Sequence, residues 1–201
     1  MLSQAKASRL MPWAWSTAWM LTGLGVAISD LYSYPSKSLI PYVVLSAVGW
    51  GFAGIVTVRA AGHKSNKAIR IIAWAAAYLV YVVFGFYWAT SWNMGFLGPI
   101  VAIGVAGSIG GIFSSKRSGA WRLISGGLVG LAFLVFATIS FYTSYFLMFA
   151  FTMEARLLGD TGALLFIWGL PGAILGLSAG FLASLILGIS KVVPTNDPTL
   201  E

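Results

Sequence analysis

The chain has 201 residues, of which 59% are hydrophobic and only 8% are charged, and its net charge is +7. A soluble domain carries roughly 25% charged residues, so the composition predicts an integral membrane protein whose basic residues report orientation rather than nucleic-acid binding. The absence of cysteine excludes disulfides, thiolate catalysis and thiolate metal sites.

Six apolar runs approach the length of about 20 residues that crosses roughly 30 Å of hydrocarbon. They predict an all-α polytopic membrane protein with six transmembrane helices in one domain, 1–191. In chain order the spans are 11–29, 39–58, 71–90, 97–114, 121–145 and 171–190. The first run follows Lys6 and Arg9, and we interpret it as an uncleaved anchor rather than a signal peptide. Residues 146–170 are a candidate interfacial segment, and 192–201 are expected to form a disordered cytoplasmic tail.

The three even-numbered runs share a pattern that indicates repeated helical hairpins. Each opens on a proline, where the missing N–H costs nothing at a helix start, and the prolines are Pro41, Pro99 and Pro171. Each closes on a cation 18, 17 or 20 residues later. Three successive hairpins inserted from one side would give this pattern, but so would any six-span protein with basic inner turns.

The cations are distributed unequally between the two sides of the predicted membrane. With the amino terminus in the cytoplasm, ten cations lie inside and only Lys37 and Arg156 lie outside. The positive-inside bias therefore predicts that both termini are cytoplasmic, in a plasma or inner membrane. Aromatic residues then gather at an outer belt (Tyr32, Tyr34, Tyr42, Tyr87, Trp88, Trp92, Tyr142, Tyr145, Trp168) and an inner belt (Trp13, Trp74, Trp121).

Small residues recur at every fourth position of the sixth span, at Gly172, Gly176, Gly180, Ser184 and Gly188. An interior glycine costs a soluble helix roughly 1 kcal/mol relative to alanine, whereas in lipid it lets two helix backbones approach closely. The pattern predicts a helix-packing seam. Gly107 and Gly111 in the fourth span show the same spacing.

Two short motifs resemble catalytic or cofactor patterns but lack the residues that those patterns need. Gly49–Gly54 matches G-x-G-x-x-G, yet no acidic residue occurs between Asp30 and Glu154, and a dinucleotide site requires one about 20 positions on. Gly176–Gly180 matches the nucleophile elbow, but the only histidine is His63 in a basic loop. We therefore predict no catalytic residue, no cofactor and no metal site.

Neutral polar residues and tryptophan crowd together only in the outer third of the predicted bundle. This region is the candidate ligand pocket, and its members are Trp88, Thr90, Trp92, Asn93, Tyr142, Thr143 and Tyr145. The alternative is that the hydroxyls bond their own helix backbone and the aromatic rings form the interfacial belt.

Two functions from different classes fit these features. The first is a non-catalytic accessory or assembly subunit of a larger membrane complex, whose partners are membrane lipids and other transmembrane helices or further copies of itself. The alternative is a small-solute transporter or its substrate-binding component. In size, helix count and inward termini the chain resembles the membrane-embedded substrate-binding components of energy-coupling-factor transporters, and Ala14 with Ala18 gives a small-xxx-small pair where that family docks its partner. An intramembrane enzyme is a third hypothesis.

Overall fold

The computed structural model describes residues 3–31, 40–62, 67–91, 97–151 and 160–189. These ranges contain six α-helices and no strand, so the predicted all-α fold is confirmed. The helices are α1 (Gln4–Leu31), α2 (Ile40–Ala60), α3 (Lys67–Ser91), α4 (Leu97–Ser114), α5 (Ala120–Phe151) and α6 (Asp160–Ile186). The predicted tail, 192–201, lies outside the described residues.

Five of these helices, α2 to α6, are long and apolar enough to cross a membrane, as expected of a polytopic membrane protein. The remaining helix, α1, contains the first predicted span and has 28 residues. It is less apolar because polar and charged residues occupy its first turns and because Ser16, Thr17 and Thr22 follow. From Ala14 to Ser29, however, no residue of α1 is exposed. Because neighbouring helices cover this stretch, it needs less apolar surface than a helix that faces lipid.

The last two helices extend into the segment between the fifth and sixth predicted spans. Within 146–170, α5 continues to Phe151 and α6 begins at Asp160, so much of this segment is helix. Pro171, which the hairpin pattern places at a helix start, lies inside α6. At the other end of α6, Gly188 has a φ of 69°. The N–H groups of Gly188 and Ile189 bond back to Leu185 and Ser184, which is a Schellman motif, so Gly188 ends the helix instead of extending its packing face.

The helices form a closed ring in chain order. Each packs against the next one along the chain, and α6 returns to pack against α1. Ser16 of α1 donates a hydrogen bond of 2.7 Å to the carbonyl oxygen of Ala173 in α6, 157 positions away. The bundle is therefore closed by contacts between its first and last helices.

Glycines line the two boundaries of α1, one with α6 and the other with α2. On α6, an added Cβ at Gly172 would lie 2.7 Å from the Trp19 carbonyl oxygen, and one at Gly176 would lie 2.6 Å from the Trp15 carbonyl oxygen. On α2, a Cβ at Gly49 would lie 2.7 Å from the Ala18 Cα. Real Cβ atoms essentially never approach this closely, so these backbones touch only because the side chains are absent.

Other predicted packing glycines lie at the boundary of α4 with α5. An added Cβ would lie 3.0 Å from the Phe133 ring at Gly107 and 2.9 Å from the Val129 Cβ at Gly111. Back on α6, a Cβ at Gly180 would lie 2.8 Å from the Trp15 Cβ. Ser184 is buried, so these small residues lie inside the bundle.

Large aromatic side chains fill the centre of the ring, one from each of four helices. This aromatic core consists of Trp15 of α1, Trp50 of α2, Trp74 of α3 and Phe133 of α5. The Trp15 ring lies 5.3 Å from Trp50, 5.0 Å from Trp74 and 4.7 Å from Phe133, measured between centroids. Trp15 and Phe133 are completely buried, so the helices surround a packed centre.

Candidate functional sites

The predicted outer pocket falls partly outside the part of the chain that the structure describes. Trp92 and Asn93 lie outside it, and so do the side chains of Trp88 and Thr90, although α3 includes both residues. The remaining members lie on α5, where Tyr142 is 54% exposed, Tyr145 is 45% exposed and Thr143 is also exposed.

The buried polar residue of that same stretch of α5 is Ser144, with an exposed fraction of 1%. Tyr145 packs instead along its own helix, with its ring centroid 5.1 Å from that of Phe149. The pocket stays a prediction, and its α5 members lie on the surface of the described chain.

A buried network of hydroxyl groups occupies the boundary between α2 and α3. We call Tyr42, Ser46, Tyr78 and Tyr81 the tyrosine network. The Tyr42 and Tyr81 hydroxyls share a hydrogen bond, and the Ser46 hydroxyl lies 2.9 Å from that of Tyr78. Tyr78 donates a further bond of 2.6 Å to the Val43 carbonyl oxygen.

The tyrosine network continues into the aromatic core. The Trp50 ring stacks on Tyr81 at 5.3 Å with an interplanar angle of 11°, and Tyr81 is 2% exposed. Because Tyr42 was predicted to lie in the outer aromatic belt, the network was not predicted from the sequence. The available signal was spacing, since Tyr42 with Ser46 and Tyr78 with Tyr81 each share one helical face.

Two indole groups of the aromatic core donate hydrogen bonds within the bundle. Trp15 Nε1 donates to the Thr57 hydroxyl at 3.1 Å, and Trp74 Nε1 donates to the Ser114 hydroxyl at 2.9 Å. Thr57 in turn donates to the Ala53 carbonyl oxygen at 2.8 Å. Because buried polar groups are costly unless bonded, these hydroxyls are best explained as partners of the core tryptophans.

Two arginines cap the carboxyl end of α4. Arg122 Nε donates to the Ile112 carbonyl oxygen at 2.7 Å, and an Arg70 guanidinium nitrogen donates to the Phe113 carbonyl oxygen. The Arg122 guanidinium also lies over the Phe113 ring at 5.4 Å. The last carbonyls of a helix have no partner in the helix and carry partial negative charge, so cations are favourable there.

The catalytic and cofactor patterns of the sequence lie inside helices, without the turns that those sites require. Gly49–Gly54 belongs to α2, and Ser178 in α6 donates to the Ile174 carbonyl oxygen of its own helix. Within the described ranges, no group of three or more His, Cys, Asp or Glu side chains is placed to hold a metal ion. His63 lies outside those ranges.

Ala14 and Ala18, the small-residue pair of the transporter resemblance, are covered by other helices of the chain itself. Their exposed fractions are 1% and 0%, and Ala18 lies against Gly49 of α2. Comparison with known proteins adds no family or relative: the chain matches no protein-family model, no curated protein and no solved structure.

Proposed function

We propose that the protein is a non-catalytic accessory or assembly subunit of a larger membrane complex. The observation that carries this proposal is the packed centre of the ring, where Trp15, Trp50, Trp74 and Phe133 meet. Large side chains fill the centre of the helix ring, and two of them bond to hydroxyls of the same chain. We therefore expect the bundle to act as a rigid body rather than to enclose a reaction site. Such a body is suited to present fixed outer faces to other membrane helices.

One outer face of the bundle has the features of a helix-docking surface. At Gly51 of α2, an added Cβ would have no described atom within 4 Å apart from its chain neighbours and the nearby backbone of its own helix. Around it Val44, Val48, Phe52 and Ile55 are all exposed. Bare backbone among apolar side chains lets a second helix approach closely in lipid, so we propose that α2 receives a partner helix here.

Association in the native membrane tests this proposal. We expect the wild-type protein, extracted with a mild detergent, to migrate as part of a larger assembly, and Gly51→Leu to migrate alone because the added side chain blocks close approach. Val83→Leu is the matched control, since Val83 of α3 is also exposed to the surroundings of the bundle. An unchanged assembly with Gly51→Leu, or a wild-type protein that migrates alone, would contradict the docking surface.

A small-solute binding role is the second candidate, because two buried indole donors have no acceptor among the described residues. Trp19 Nε1 and Trp168 Nε1 are buried without a hydrogen-bond partner in the described chain. Both rings face α5, at 5.9 Å from Phe133 and 6.1 Å from Phe141. A neutral solute with an acceptor oxygen would satisfy them. Mass spectrometry of small molecules that co-elute with the wild type, but not with Trp19→Phe, tests this role.

We also propose that the basic end of the bundle is cytoplasmic, in a plasma or inner membrane. The described cations support this, because all of them lie at the helix ends on one side of the bundle. Lys6, Arg9, Lys67, Arg70 and Arg122 lie near the starts of α1, α3 and α5. Arg59, Lys116 and Arg117 lie at or just after the ends of α2 and α4. Reporter fusions after residues 63 and 118 should be internal, and fusions after 37, 93 and 156 should be external. An external signal at 63 would reverse this orientation.

A further inference from the structure

We propose that the turn between α4 and α5 is a binding site for the phosphate headgroup of an anionic phospholipid. The site contains an open surface pocket of about 390 Å³, lined by Arg117, Ser118 and Trp121. This inference does not depend on the accessory-subunit proposal, because it concerns a different face of the bundle.

Positive charge gathers at this turn without acidic residues near it in the chain. Lys116 and Arg117 lie in the turn, and Arg70 and Arg122 reach the adjacent end of α4. The carbonyl groups that accept from Arg70 and Arg122 carry no formal charge, so neither cation is neutralised by an acidic partner there. No residue between Asp30 and Glu154 is acidic. Clusters of cations beside the end of a membrane helix attract anionic headgroups.

Hydrogen bonds hold the turn in one conformation. The Ser115 hydroxyl accepts from the Arg117 backbone N–H at 3.2 Å and from the Ser125 hydroxyl at 2.7 Å. The Arg117 guanidinium lies over the Trp121 ring, 5.8 Å from its centroid, a geometry in which cation and ring attract each other. The cation is therefore positioned at the pocket before any ligand arrives.

The surface below the pocket favours a lipid over a soluble phosphate. Trp121 is 61% exposed, and tryptophan is enriched at the level of the headgroups. From it, Ile124, Leu128, Leu131 and Val135 follow at spacings of three and four, and all are exposed. At 1.5 Å per residue this stripe is about 21 Å long, which exceeds the roughly 15 Å of one leaflet. An acyl chain can lie along it while the headgroup occupies the pocket.

Native mass spectrometry of the full-length protein in detergent, titrated with equal amounts of phosphatidylglycerol and phosphatidylcholine, tests the site. We expect the wild type to retain phosphatidylglycerol preferentially. The double variant Lys116→Gln with Arg117→Gln should bind it about 25-fold more weakly, since each cation near an anionic surface contributes about a factor of five, and should bind phosphatidylcholine unchanged.

The matched control removes the same charge from the same end of the bundle. Lys6→Gln with Arg9→Gln neutralises two exposed cations of α1, which packs against α2 and α6. This control should keep wild-type selectivity. Equal losses in the two double variants would indicate diffuse attraction and overturn the site. So would displacement of the lipid by equimolar inorganic phosphate.

A third variant keeps the test decisive if the charge variant folds poorly. Trp121→Ala leaves every charge in place and removes the ring that orients Arg117. It should reduce phosphatidylglycerol binding several-fold, whereas unchanged binding would overturn the assignment of this pocket.

Discussion

The boundaries of α1 and the boundary between α2 and α3 are built in opposite ways. At α1, glycines of α2 and α6 bring backbone against backbone, so that an added Cβ at Gly49 or Gly176 would meet backbone atoms below 3 Å. Between α2 and α3, large side chains and shared hydroxyls fill the space, as Tyr42 with Tyr81 shows. We therefore expect the boundaries of α1 to be destabilised by larger side chains, and the boundary between α2 and α3 to be destabilised by the loss of a ring or hydroxyl.

The largest effect is expected where volume is added to a backbone contact. Gly176→Leu places a side chain against the Trp15 carbonyl oxygen, 2.6 Å from the new Cβ, and a backbone atom cannot move aside as a flexible side chain can. We expect a loss of roughly 3 kcal/mol or more, at the upper end for overpacking, measured by unfolding in mixed micelles. Equal stability of Gly176→Leu and the wild type would remove the distinction between the two boundaries.

Removing one hydroxyl from the tyrosine network should have the next largest effect. Tyr81→Phe keeps the ring and its stacking on Trp50 but takes away the partner of the buried Tyr42 hydroxyl. An unsatisfied buried group costs about 1–3 kcal/mol, so the free energy of unfolding should fall by about that amount. Tyr145→Phe, on the exposed face of α5, is the control and should unfold like the wild type.

A smaller effect is expected at Ser46, because its neighbours keep other partners. Ser46→Ala removes a 2.9 Å contact with the Tyr78 hydroxyl, but Tyr78 still donates to the Val43 carbonyl oxygen. Hydrogen bonds between membrane helices average about 0.6 kcal/mol, and we expect a loss of that size in the same unfolding assay. A loss as large as that of Tyr81→Phe would show that Ser46 organises the network.

The smallest effect on folding is expected for Gly51→Leu, which makes the same glycine-to-leucine change as Gly176→Leu at a position that faces open space. Gly51→Leu adds its side chain into open space on α2, so the free energy of unfolding should change by about 0.5 kcal/mol or less. Together with Gly176→Leu it separates the cost of placing leucine against backbone from the effect of replacing glycine in a helix. A large destabilisation by both would assign the effect to the helix itself.

Periodic features of the sequence were sufficient to predict the helical fold. Small residues at Gly172, Gly176 and Gly180 indicated a packing face, but spacing contains no information about which helix that face meets. Trp15, the residue of α1 that Gly176 contacts, is 161 positions away in the chain. Aromatic residues were less informative. Trp121 at the basic end is exposed, as a belt residue should be, whereas Trp74 is buried in the aromatic core. Composition alone cannot separate these two environments, since tryptophan suits both.

The candidate sites were harder to predict from the sequence than the helices, because they depend on tertiary structure. Lys116 and Arg117 were visible as a basic turn, but the contribution of Arg70 comes from α3 and is evident only once α3 packs beside the end of α4. Gly188 matched the four-residue repeat by position although its left-handed backbone ends the helix. A sequence repeat can continue beyond the end of a helix, so the backbone conformation is needed to show where the packing face ends.

The contact between α1 and α6 has a consequence for how the protein is made. Ser16 and its acceptor at Ala173 are 157 residues apart, and at 5–20 residues per second a ribosome needs on the order of 10 s to add that length. During this interval the least apolar helix of the six is already in place, but the glycine face that covers it has not been synthesised. We therefore expect this side of α1 to lie against lipid or against another helix until α6 has been synthesised.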